Sequence, residues 1–160
     1  MTLREFSVPR VERCFEDYIA GAVYEFDETV ELTEGELIAF ARRYDPQPIH
    51  LDADVAAKGP YGGLIASGTQ TIALTMRLLV DNFFPENGTL GSPGFDELRW
   101  KKPLRPGDVL HLRVTVLETR PSQSKPDRGI VRALVETINR NGEVIMTVGT
   151  TSLMRRRPGN

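Results

Sequence analysis

The 160-residue sequence predicts an α+β fold in which a curved antiparallel sheet wraps around one central helix. Both helical patterns lie before Phe84, whereas nearly everything after it alternates apolar and polar residues as strands do. The longer helical pattern, residues 69–83, carries apolar positions along one face and is therefore the element to bury. Helices grouped ahead of a strand meander point to segregated layers rather than alternating units. With 40% hydrophobic and 26% charged residues, the chain fills one core and is too short for two. Residues 1–160 therefore read as a single domain, with an N-terminal arm at 1–15 and a flexible C-terminal tail at 155–160.

The first residues carry mixed charge, Pro9 and little periodicity, as an arm or edge segment would. Ala22 to Leu32 partly alternates through Val23, Tyr24, Phe26, Val30 and Leu32, and Asp27 with Glu28 interrupts it, giving a strand with a bend inside. Thr33-Glu34-Gly35-Glu36 matches the capping box, in which a hydroxyl and a carboxylate satisfy free backbone donors at a helix start. The helix to Arg43 turns Leu37, Ile38, Phe40, Ala41 and Tyr44 inward and delivers Asp45 at its C-terminal end. Pro46 and Pro48 make the next segment a stiff, non-helical loop. His50 to Lys58 reads as a helical turn or loop, and Gly59-Pro60-Tyr61-Gly62-Gly63 is punctuation.

Gly68 opens the central helix, whose inward face is Ile72, Ala73, Met76, Leu79, Val80 and Phe83. Beyond a turn-rich stretch, Phe95, Leu98 and Trp100 lead to Pro103, and Arg105-Pro106-Gly107-Asp108 is a turn. Val109 to Leu117, Ile130 to Ile138 and Val144 to Leu153 alternate as strands, the last two joined by a hairpin at Asn141-Gly142. A sheet this small leaves an edge open. Pairing edges across a two-fold buries it, so a homodimer is expected.

Composition excludes several functions. A formal net charge of −2 argues against a nucleic-acid partner, because phosphate contacts favour a strongly basic face. The single cysteine, Cys14, leaves no internal disulfide and fits a cytoplasmic protein; it reads as a packed or surface thiol rather than a nucleophile. The N-terminal residues lack the apolar core of a signal peptide, and no apolar run approaches membrane-spanning length, so no membrane partner is expected. The two histidines, His50 and His111, with Asp52 and Asp54, make no ligand cluster, and neither a metal nor another cofactor is expected. Ser67 lacks the preceding glycine of a nucleophile elbow, and no phosphate-cradling or dinucleotide-binding glycine run occurs.

Chemistry concentrates between Tyr44 and Gly68. Asp45 and His50 lie five positions apart across two prolines, and a stiff segment of that kind holds a carboxylate and an imidazole in the fixed relation that acid/base catalysis requires. A carboxylate is not what a helix C-terminus attracts, which favours a functional reason for Asp45. The alternative is that Asp45 merely closes the helix and His50 is an ordinary buried histidine; spacing alone leaves both open. For Gly68 the alternatives are turn-making and close backbone approach.

Taken together, the ordered motifs resemble those of the MaoC-like dehydratases, or (R)-specific enoyl-CoA hydratases, of the hot-dog fold. Tyr44-Asp45-Pro46-Gln47-Pro48-Ile49-His50, with Ala56 after it, is similar to the family's hydratase motif. Ala66-Ser67-Gly68 resembles its second block, and the stretch from Trp100 to Asp108 its aromatic and Gly-Asp turn. Gly129-Ile130-Val131 with Asn141-Gly142-Glu143 resembles its last hairpin.

The resemblance implies reversible hydration of a trans-2-enoyl thioester, carried by CoA or an acyl carrier, to an (R)-3-hydroxyacyl thioester. Asp45 and His50 would activate one water, and the Gly68 backbone N–H would stabilise the thioester oxyanion at the positive end of the helix. Gln47 stands where the family has asparagine, Ser67 where many members have histidine, and Tyr44 where many have glycine; these departures bear on the substrate more than on the reaction. A thioesterase on the same fold and a non-catalytic acyl-CoA-binding protein are the competing readings. Arg77, Arg99, Lys101, Lys102 and Arg105 are cations available to CoA phosphates, although charged residues on solvated faces need no ligand.

Overall fold

In the computed structural model, which describes residues 1–159, the capping box forms as the sequence predicts. The Glu36 amide donates to the Thr33 hydroxyl at 3.3 Å and the Thr33 amide to the Glu36 carboxylate at 3.1 Å, starting helix α1 (Glu34–Tyr44). Leu37 and Ala41 are buried and Ile38 and Phe40 half-buried, but Tyr44 is exposed rather than packed inward. The segment after Asp45 is also not wholly non-helical. Pro48 takes the first position of a one-turn helix α2 (Pro48–Leu51), where its missing N–H leaves nothing unsatisfied. Helix α3 (Ala53–Lys58) follows, capped by the Asp52 carboxylate on two amides.

The central helix α4 (Gly68–Leu78) runs on through a π-helical turn at Leu79–Phe83. Its rotation differs from the one expected. Leu79 and Phe83 are buried, but so are Gln70, Thr71, Thr75 and Asn82, while Ala73 and Val80 are exposed and Ile72 and Met76 are half-buried. At Thr75 the polar side meets the sheet, because its hydroxyl finds a partner there. The Thr75 hydroxyl donates to the Thr71 carbonyl at 2.8 Å and lies 2.7 Å from that of Thr137, so no buried hydroxyl is left unpaired at that contact.

Seven strands make one sheet. They are β1 (Thr2–Leu3), β2 (Ala22–Glu25), β3 (Val30–Glu31), β4 (Gly94–Trp100), β5 (Val109–Pro121), β6 (Arg128–Asn139) and β7 (Val144–Arg155). The order is β1-β2-β5-β6-β7-β4, with β3 on the far part of β5, so the bent strand of the sequence becomes two short ones on the same neighbour. Pairing is antiparallel except between β1 and β2, which makes the sheet mixed. Alternation sets the register: Val114, Val135 and Val148 sit side by side on β5, β6 and β7 with their side chains in the core. The hairpin closes at Gly142, whose φ of 77° suits glycine.

Residues near each terminus, Phe6 and Arg13 at one and Arg156 and Arg157 at the other, are tied to the body. Phe6 stacks on Tyr24 with ring centroids 4.1 Å apart, and the Arg13 guanidinium lies 3.6 Å from the Phe6 centroid. Arg13 donates to the Asn82 and Phe83 carbonyls at 2.8 and 2.9 Å, supplying a cation and donors to the C-terminal end of the central helix. Arg156 donates to Glu16 at 3.2 Å and Arg157 to Asp17 at 2.8 Å. No described helix is long and apolar enough to cross a membrane.

Candidate active site

Three chain segments converge on one cleft. Asp45 leaves α1 with its amide still bonded to the Ala41 carbonyl at 2.8 Å, which fixes the direction of its side chain. One helical turn on, α2 buries His50. The strand-like return into α4 is pinned by the Ala66 amide on the Leu104 carbonyl at 2.8 Å and presents Ser67 and Gly68. The five residues singled out by sequence, Asp45, Gln47, His50, Ser67 and Gly68, therefore meet at one place.

The hydrogen bonds define the protonation pattern. His50 Nδ1 lies 2.7 Å from the Ile65 carbonyl, which only accepts, so Nδ1 carries a proton. Nε2 then faces Asp45 Oδ2 at 3.3 Å, as a lone pair when the ring is neutral and as a donor when it is charged. Asp45 Oδ2 also accepts from the Ser67 hydroxyl at 2.6 Å, and Oδ1 accepts from the Gln47 amide at 2.6 Å. Since the single Ser67 proton goes to the carboxylate, the hydroxyl of Thr69, 2.7 Å away, must donate to Ser67 Oγ. The Ser67 hydroxyl, then the Gln47 amide, hold the Asp45 carboxyl below the usual carboxylate range; the nearby imidazole contributes less. Gln47 itself is exposed, and its longer arm folds back onto Asp45 instead of reaching deeper.

Ser67 is also the N-cap residue of α4, where a serine hydroxyl ordinarily accepts from the first turn. Spent on Asp45, it makes no such cap bond, and the Gly68 amide, the first of the helix's free donors, has no hydrogen-bond partner among the described residues. Gly68 is not there for its backbone freedom, because it has no positive φ. A Cβ at this position would fall 2.5 Å from Cε2 of Trp100, whose indole N–H donates to the Gly68 carbonyl at 3.1 Å. Close approach, not turn-making, is the reason for glycine.

The cleft in front of these groups has a volume of about 540 Å³, within the range of small-molecule sites. Apolar walls come from Ile49, Ile65, Ala66 and Pro103, with Tyr61 and Trp100 as aromatic ones. Tyr61, Thr69 and the Ile65 carbonyl were not singled out from sequence; Tyr61 and Ile65 enter the site through Arg105 and His50, 44 and 15 positions away, and Thr69 only through the hydroxyl of Ser67 beside it. Of the five candidate cations, Arg77 pairs with Asp81, Lys102 with Glu143, and Arg105 donates to the Tyr61 carbonyl at 2.6 Å. Lys101 and Lys102 reach the rim of the cleft. Among the described residues, no group of three or more histidine, cysteine or acidic side chains is placed to hold a metal.

Residues 17–139 match the family described as the MaoC like domain. The chain belongs to this family. It is similar to the MaoC-like dehydratase from Rhodospirillum rubrum, with a TM-score of 0.84 and 40% identity, covering 91% of this chain and 99% of that one. It is similar also to the unliganded (R)-hydratase PhaJ1 of Pseudomonas aeruginosa, at a TM-score of 0.73 and 26% identity over 90% and 86% of the two chains. Among sequences, YdeM of Bacillus subtilis, an uncharacterized protein, is 29% identical over 89% of this chain and 98% of its own length. The 3-hydroxybutyryl-CoA dehydratase of Methylorubrum extorquens is 28% identical over 74% of each chain. The MaoC-like resemblance is correct, and the hot-dog fold it implied is the fold of this chain.

Proposed function

We propose that the chain is an enoyl-CoA hydratase and 3-hydroxyacyl-CoA dehydratase, interconverting a trans-2-enoyl thioester and its (R)-3-hydroxyacyl thioester. One observation carries the reading. Asp45 and His50, 3.3 Å apart, open on the same cleft as the unpartnered Gly68 amide. A water that donates one O–H to His50 Nε2 and the other to Asp45 is oriented by the first and deprotonated by the second. Its oxygen bonds to C3, the C2–C3 π electrons move onto the thioester carbonyl, and the Gly68 N–H with the helix dipole behind it stabilises the oxyanion. Asp45 then returns the proton to C2 as the carbonyl re-forms. The sum is one water added, both parts from one face, and dehydration is the same path reversed.

The acyl group rides on CoA or on an acyl carrier; the sequence similarity to a 3-hydroxybutyryl-CoA dehydratase supports CoA. The lone cysteine and this metabolite class fit the cytoplasm, and residues 1–160 fit one domain. A homodimer is supported by the position of β4 at the end of the sheet and by the exposed Ala73 on α4 and Val80 on the π-helical turn that follows it. Incubation with crotonyl-CoA, following enone absorbance and free thiol separately, tests the reaction. Enone loss without thiol release is expected. Thiol release with the enone intact would select a thioesterase, and binding without either would select a carrier.

A further inference from the structure

We propose that the indole of Trp100 is the wall against which the planar enoyl thioester packs, selecting conjugated over saturated acyl chains. This rests on the thioester reading of the cleft and names what that reading leaves open. Trp100 ends edge strand β4 and keeps 53% of its surface exposed, yet it is not free to swing. Its N–H is bonded to the Gly68 carbonyl at 3.1 Å, and its ring lies so close to Gly68 that a methyl group there would collide. A large aromatic held rigid and half-bare at the mouth of an apolar cleft presents a ready contact surface.

Position supplies the selectivity. A carbonyl that accepts from the Gly68 N–H would lie beside the indole, because Trp100 packs over the Cβ position of residue 68 and lines the same cleft. An enoyl thioester is flat from the sulfur to C3 and stacks along its length, whereas a saturated chain is tetrahedral at C2 and C3 and loses the contact. Hydration turns the first geometry into the second, so the same wall loosens its hold on the product.

Titration of crotonyl-CoA and butyryl-CoA into Asp45→Asn protein, in which turnover is slowed roughly 10²- to 10⁴-fold, tests this through the chain's single tryptophan. Saturable quenching by crotonyl-CoA is expected, with butyryl-CoA binding roughly 3- to 10-fold more weakly. In calorimetric titrations Trp100→Leu should bring the two affinities together. Trp100→Phe, which keeps a π face but loses the bond to the Gly68 carbonyl, should keep most of the preference. Binding without any change in emission, or an undiminished preference for crotonyl-CoA in Trp100→Leu, overturns the assignment, and wild-type turnover of crotonyl-CoA would then leave the hydratase reading standing without it. Quenching and preference in a wild-type protein that hydrates nothing would keep the wall and remove the hydratase. Absence of both binding and turnover would remove both.

Discussion

Replacing Asp45 by asparagine preserves the shape of the side chain and removes its charge, and the surrounding bonds set how much each change matters. The asparagine carbonyl can keep the Ser67 hydroxyl, which sits 2.6 Å from the present carboxylate oxygen. Its amide then faces Gln47, an exposed side chain that can turn its own carbonyl toward it. No donor is orphaned, so the loss is the difference between charge-assisted and neutral hydrogen bonds at a partly exposed site, about 1 kcal/mol, or 2–4 °C in melting temperature. Catalysis has no such substitute. Losing a positioned base costs roughly 10²- to 10⁴-fold, or about 3–5 kcal/mol of barrier. Initial rates of crotonyl-CoA hydration and a thermal melt on the same preparation measure both. Turnover close to wild type would remove Asp45 from the mechanism, and a collapse in stability matching the rate loss would make it a structural residue.

The remaining expectations follow from neighbouring contacts. The ionised Asp45 carboxyl is held low chiefly by Ser67, so activity that needs the carboxylate persists above its folded pKa and is lost as pH falls through it. Ser67→Ala should therefore move the acid limb of the kcat/KM profile to higher pH; an unmoved limb would deny that bond its role. Gly68→Ala should fold, since no positive φ is required, but the new methyl must displace Trp100, shifting its emission and lowering kcat/KM by about tenfold or more. Unchanged emission would refute the close approach. Thr33→Ala removes both hydroxyl contacts of the α1 cap and should cost about 1 kcal/mol, seen as a melt 2–4 °C lower with kcat/KM intact.

Local chemistry was enough for much of this molecule. The Thr33 and Glu36 cap, the Asn141-Gly142 hairpin, the alternating strands that became β5, β6 and β7, and the Asp45 and His50 pair rest on residues a few positions apart, whose geometry neighbouring bonds dictate. Periodicity also located the central helix to within one residue of its start. It did not set the helix's rotation, because apolar spacing cannot tell a face that meets the sheet from one left bare. The Thr75 and Thr137 hydroxyls, 62 positions apart, decided that by satisfying each other.

What the sequence determined alone was therefore the central helix, the long strands β5 to β7, their order, and the closeness of the Asp45 carboxylate to the His50 imidazole. Tertiary structure decided the parallel pairing of β1, the diversion of the Ser67 hydroxyl from cap to carboxylate, and the indole against Gly68. Each of these joins groups that the chain separates by 20 to 32 positions, and such contacts exist only once the chain has folded back on itself.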